Sequence, residues 1–158
     1  MSIDYEFNLA TAMHFQEVFV IFLKELGLST DVNRTEWGHP DEILGPGFIV
    51  RASAINPCPE AELGGRLRMA EPMVRFSFSP LGPRLADYEQ AMSIIFQGVM
   101  AVLHQVPGDA VFLFNWEKAL LLRREGQILL DTAYATWTPE RLLLLGDMPH
   151  SFEVLPVL

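Results

Sequence analysis

Residues 2–9 alternate strictly, with Ile3, Tyr5, Phe7 and Leu9 on one face and Asp4, Glu6 and Asn8 on the other. A period of two predicts a half-buried strand with a solvent-facing acidic side. Thr11 is placed to cap the segment that follows. There Phe15, Val18, Phe19, Phe22, Leu23 and Leu26 recur at helical spacing, and Gly27 supplies the stop. Residues 28–37 read as a short polar strand marked by Val32. Two prolines and three glycines within 38–47 predict a loop. Residues 48–55 read as a strand ended by the prolines around Cys58, and residues 60–70, with Gly64-Gly65, as a polar segment. Residues 73–79 alternate again, Val74, Phe76 and Phe78 opposing Met73, Arg75 and Ser77.

A second helix is expected from Pro83 or Arg84, with Leu85, Tyr88, Met92, Ile95, Phe96, Val99 and Leu103 as its apolar stripe. It must stop before Pro107-Gly108. The stretch DAVFLFNWEKALLLRREGQILLD then reads as apolar strands separated by two tight turns, at Asn115-Trp116 and at Glu125-Gly126. Thr138-Pro139-Glu140 combines a cap, a first-turn proline and an acid that complements the helix dipole, so a short helix is expected from there to about Gly146. The tail from Ser151 is apolar enough to pack back on the protein. Successive strands with short turns imply antiparallel pairing. The expectation is therefore an α+β fold, 1–158 as a single domain, in the order β-α-β(n)-α-β-β-β. Its largely antiparallel sheet is expected to be covered on one face by two main helices.

Totals narrow the choice of chemistry. The chain has 158 residues, half of them apolar, and a net charge of −9. Residues 1–63 hold ten acidic side chains against Lys24, Arg34 and Arg51, a balance of −7, and the rest carries −2. Such a field repels nucleic acid and anionic membrane and attracts basic partners, although solubility alone also accounts for it. No apolar run approaches the roughly 20 residues of a membrane helix, and MSIDYEF does not read as a secretory signal. Cys58 is the single cysteine, which excludes an internal disulfide and a cysteine-built zinc site and fits a cytoplasmic location.

Catalytic patterns are not found. His14, His39, His104 and His150 have no second ligand at helical spacing, so neither a metal nor another cofactor is expected. Cys58 lies between prolines with no activating neighbour. Neither Gly45-Pro46-Gly47 nor Gly64-Gly65 matches a phosphate loop. Arg123-Arg124 at a hairpin with Glu125-Gly126 is explained by the turn itself. What remains is surface: Asp4 and Glu6 on a strand face, and Glu36, Asp41 and Glu42 in a loop around Trp37. An aromatic amid acids is the kind of group that anchors an interface, the alternative being that Trp37 tucks into the core edge.

Three stretches carry a resemblance: MSIDYEFNLAT at the start, PGDAVFLFN after the second helix, and LLLRREGQILLD. They resemble small bacterial immunity proteins of the swarming-inhibition (Sit) toxin–immunity type. The likeness rests on residues 2–11 and 98–131. It implies a non-enzymatic inhibitor that binds and neutralises a cognate toxin, with no membrane or nucleic-acid partner. Combined with the charge, it implies a toxin with a basic surface and an immunity protein that is a monomer or weak homodimer. The expected contact residues are Asp4, Glu6, Glu36, Trp37, Asp41, Glu42 and Trp116. A small-molecule enzyme with a pocket between helices and sheet, and a homo-oligomeric structural module, are the alternatives. One departure stands out: the family turn reads Asn-Gly-Glu, whereas this chain has Asn115-Trp116-Glu117. A tryptophan is strained where φ is positive, so a longer loop around a type I turn is expected here. The ring then either folds back on its own strands, taken as the default, or is offered to a partner.

Overall fold

The computed structural model describes residues 3–35, 41–55, 72–82 and 84–157. Among these the order is β1 (Tyr5–Ala10), α1 (Phe15–Glu25), β2 (Glu42–Gly45), β3 (Phe48–Ile55), β4 (Met73–Pro80) and α2 (Leu85–Gln105). Then come β5 (Ala110–Phe114), β6 (Lys118–Arg124), β7 (Gln127–Asp131), α3 (Pro139–Leu143) and β8 (His150–Glu153). The strands form one sheet in the order β2-β3-β4-β1-β5-β6-β7-β8. The fold is α+β, as the periodicities predict. Pairing is antiparallel except between β7 and β8, which run parallel. The sheet is thus largely antiparallel, as expected; β7 and β8 are joined through α3 rather than by a short turn, and a parallel pair requires such a crossover.

The first strand in sequence is a central strand in space. Tyr5, Phe7 and Leu9 face Phe78, Phe76 and Val74 of β4 on one side and Phe114, Phe112 and Ala110 of β5 on the other. Both helices pack against this aromatic face. The Phe19 ring lies 5.4 Å from Phe76, Phe22 lies 5.5 Å from Phe78, and Phe96 of α2 lies 5.1 Å from Phe112. Each such ring, fully buried, contributes about 1.5–3 kcal/mol. Gly98 lets α1 and α2 approach, since a Cβ there would stand 2.4 Å from the Phe22 ring. On the opposite face of β5–β7 a smaller core of Val111, Leu113, Ala119 and Leu122 is closed by Leu155 of the tail.

Several expectations are corrected. Thr11 does not cap α1; His14 does, its Nδ1 accepting from the Gln16 N–H at 3.2 Å, while Thr11 Oγ1 accepts from the Met13 N–H. Within 28–35 there is no strand, only a turn knitted by Ser29 and Asn33, and Val32 is 82% exposed. Leu28 and Val32 among polar residues were too little to hold a strand. Conversely, the glycine- and proline-rich stretch expected to be loop contains β2, whose Ile43 is fully buried. The side of β1 expected to face solvent is only partly open: Asp4 and Glu6 are half-buried, and Asn8 is fully buried, its Oδ1 accepting from Arg75 Nε. Gly27 (φ 67°) does end α1, α2 does stop before Pro107-Gly108, and Thr138 does cap α3.

Candidate partner-binding surface

The two ends of the sheet are built differently. At one end β1 finishes, β5 begins and α2 terminates, and this end is clamped by Arg123. Its Nη1 donates to Leu103 O (2.7 Å), Nη2 to Val106 O (2.6 Å) and Nε to Gly108 O (2.7 Å). The guanidinium thereby satisfies carbonyls at the α2 C-terminus, where a cation also complements the helix dipole. Burial lowers the Arg123 pKa from its ordinary value, and the Asp109 carboxylate opposes that shift. Gly108 (φ 127°) is required, because a Cβ would lie 2.0 Å from Ala10 O. Asp109 accepts from Arg124 Nη1 (2.9 Å) and from the Glu125 N–H (3.3 Å). Glu125 (φ 50°) and Gly126 (φ 79°) make the expected left-handed turn. Parts of the stretches that carry the sequence resemblance, Ala10, Gly108-Asp109 and Arg123 to Gly126, meet here.

At the other end the connections are loops and the apolar residues are exposed. Ile3 precedes β1, Leu81 follows β4, Leu85 opens α2, Trp116 tops the β5–β6 hairpin and Tyr134 follows β7, and all five are exposed. The strand registers put them together: Asp4 meets Ser79 through a 3.0 Å hydrogen bond, and Asn115 meets Asp4. The hairpin corrects the expectation of a longer loop around a type I turn. Asn115 (φ 48°) and Trp116 (φ 65°) are both left-handed, and the Glu117 N–H donates to Phe114 O at 3.2 Å, which is the handedness of a type I′ turn. The reason lies in Asn115. Its N–H donates to Asp4 O (2.8 Å) and its Oδ1 accepts from the Asp4 N–H (3.1 Å), fixing the turn from outside the hairpin. Trp116 is carried along at a cost of about 1–2 kcal/mol. Its ring is 64% exposed, so it is not folded back on its strands.

Beneath this surface lies an open cavity of about 280 Å³, lined by Tyr5, Tyr88, Phe114, Leu120, Tyr134 and Thr136. All three tyrosines of the chain line it. Tyr5 lies 6.3 Å from Tyr88 and 5.3 Å from Phe114, and Tyr134 stands edge-on to Phe114 at 6.3 Å. The Tyr88 pKa is raised, by burial first and by Glu89 second, with Arg141 opposing. The Lys118 ammonium sits 5.6 Å from the Tyr134 ring centroid. It is held by Asp131 Oδ1 (2.8 Å) and Leu155 O, and Asp131 also accepts from the Leu155 and Tyr134 N–H groups. Burial pushes the Asp131 carboxyl up. The Lys118 and backbone hydrogen bonds outweigh it, so its pKa lies below the ordinary 3.8. This buried pair fixes the base of the loop end.

The expected contact residues divide. Asp4 and Trp116 belong to the loop end. Glu6 and Glu42 lie on the sheet face opposite the helices, in one cross-strand row, Glu42–Arg51–Ser77–Glu6. That row mixes charges through Arg51, and from the neighbouring row Arg75 Nε lies 3.5 Å from Glu6 Oε2 and 2.9 Å from Asn8 Oδ1. Glu42 is a strand residue rather than a loop residue, and its Oε1 accepts from Thr35 Oγ1 at 3.0 Å. Asp41, just before β2, accepts the Ala52 N–H through its backbone. Glu36 and Trp37 lie outside the described residues, as do His39 and Cys58. The tyrosine cavity, the Arg123 clamp and the Lys118–Asp131 pair had no motif to announce them. The one signal was the presence of Lys118, Arg123 and Asp131 within otherwise apolar strands.

Among the described residues no group of three or more His, Cys, Asp or Glu is placed to hold a metal ion, and no helix is long and apolar enough to cross a membrane. His14 caps α1, His104 Nε2 pairs with Leu144 O (2.9 Å), and His150 Nδ1 pairs with Met148 O (3.0 Å). A family model described as SitI3-like matches residues 3–141. No curated protein and no solved structure matches the chain.

Proposed function

The chain belongs to the SitI3-like family, and from that premise we propose that it is an immunity protein, acting in the cytoplasm, that binds and neutralises a cognate bacterial toxin through the loop end of its sheet. The family match over residues 3–141 carries the reading. The loop end supplies what binding needs. Trp116 brings large apolar area on a rigid side chain that is already fixed in its turn, so little conformational entropy remains to be lost on association. Ile3, Leu81, Leu85 and Tyr134 surround it, and the tyrosine cavity can receive a side chain of the toxin. Asp4 adds a carboxylate at the same end. A partner covering roughly 800 Å² of this end would make an interface of standard size.

The net charge of −9 favours a toxin with a basic surface and speeds encounter with it. No reaction by the immunity protein is required: occupying the toxin's working surface is sufficient. The test is co-expression with the toxin encoded beside it. The expected result is survival of the host and recovery of a stable complex. Growth arrest, together with failure of the two purified proteins to associate, would reject the reading. Trp116→Gly should retain the fold and weaken the complex.

A further inference from the structure

We infer that β8 is the contact through which two copies of this chain associate, edge to edge and antiparallel across a two-fold axis at Phe152. The two margins of the sheet differ. Outside β2 the chain itself supplies partners, the Leu44 N–H donating to Asn33 O (2.8 Å) and Arg34 bridging to Ile43. β8 is the last strand at the other margin, and all four of its residues are exposed. It pairs with β7 without a register break and contains neither lysine, proline nor a bulge, so of the devices that keep an edge strand from pairing it has only its four-residue length and Glu153.

The sequence of the strand is complementary to itself. His150 and Phe152 face the same side as the buried Ile128 and Leu130; Ser151 and Glu153 point to the other side. A two-fold axis normal to the sheet at Phe152 sets Phe152 against its copy, His150 against Val154, and Ser151 against Glu153. Phe152, 50% exposed, is then covered by the Phe152 of the other copy. Each Glu153 carboxylate faces a serine hydroxyl. A shift of two residues one way opposes Glu153 to Glu153, and like charges directly opposite destabilise a pair. A shift the other way brings in Pro149, which has no N–H to donate. The strand is short, so the association is weak, and two chains of charge −9 repel, so added salt strengthens it. β8 lies beyond the residues matched to the family, so this contact does not depend on the proposed function.

Sedimentation equilibrium from micromolar to millimolar protein tests it. The weight-average mass should rise towards twice that of one chain, and Phe152→Lys should hold it at one chain with an unchanged thermal midpoint. In a Cys58→Ser background, Phe152→Cys should cross-link to its own copy on oxidation. Directly opposed Cα atoms in an antiparallel pair lie about 4.5–5.5 Å apart, within disulfide reach. Ser151→Cys, which faces Glu153 of the copy, should cross-link far less. A single-chain mass throughout, a dimer indifferent to Phe152→Lys, or equal cross-linking at 151 and 152 would each overturn the inference.

Discussion

The two ends of the sheet use charge and turn geometry for opposite purposes. At the clamped end, Arg123 is buried and spends its donors on backbone carbonyls, and Gly108 and Gly126 occupy left-handed positions that suit glycine. At the loop end, a tryptophan occupies a left-handed position that suits glycine, and its ring stands in solvent. Each end carries a non-glycine residue at positive φ, Glu125 (φ 50°) at the clamped end and Trp116 (φ 65°) at the loop end, but only at the loop end is it a large aromatic left in solvent. On the proposed function, the exposed ring on this strained turn serves binding rather than stability.

The sharpest way to break this contrast is to attack the base of the loop end. Lys118→Met leaves Asp131 buried and uncompensated, and should lose about 3–5 kcal/mol in urea unfolding. Adding Asp131→Leu should recover much of that loss. Because the Asp131 pKa is depressed on folding, its contribution is fully present above the unfolded value near 3.8 and disappears as pH falls below it through the folded value. An acid titration of stability should show this, and Asp131→Asn should flatten it. At the clamped end, Arg123→Leu orphans carbonyls of Leu103, Val106 and Gly108 and should cost about 3 kcal/mol. Arg123→Lys should not rescue it, because a point charge cannot reproduce the planar fork.

Trp116→Gly should do the reverse of these. Relieving the positive φ should raise stability by about 1 kcal/mol, while toxin affinity should fall by about 2 kcal/mol as read by calorimetry. If affinity is unchanged, the loop end is not the contact. The smallest effect is that of salt. Raising ionic strength should slow association with a basic toxin and strengthen the β8 contact, so opposite slopes separate the two interfaces.

What could be read in the sequence was what period alone determines. The stripes of α1 and α2 and the alternation of β1 and β4 are visible because each buries one face. β2 was hidden because the glycines and proline around its end suggested loop, although they only turn the chain into β3. The central place of β1 depends on pairing with β4 and β5, which no local pattern encodes. Trp116 shows the limit most clearly. Local propensity argued against a left-handed turn, and a hydrogen bond between Asn115 and Asp4, 111 residues apart, overrode it. Of the candidate surface, Asp4 and Trp116 were legible as unusual surface residues. The three tyrosines were not, since only the fold gathers positions 5, 88 and 134.

The Arg123 clamp also bears on how the chain folds. It joins residue 123 to residues 103–108, so it closes a loop of at most 20 positions, whereas β1 must reach β5 across more than 100. Short closures cost less chain entropy, so the end of α2 with β5 and β6 can assemble early and give β1 an edge on which to dock. Rate measurements on Arg123→Leu should then show most of its destabilisation in slower folding, and a variant such as Leu9→Ala most of its effect in faster unfolding.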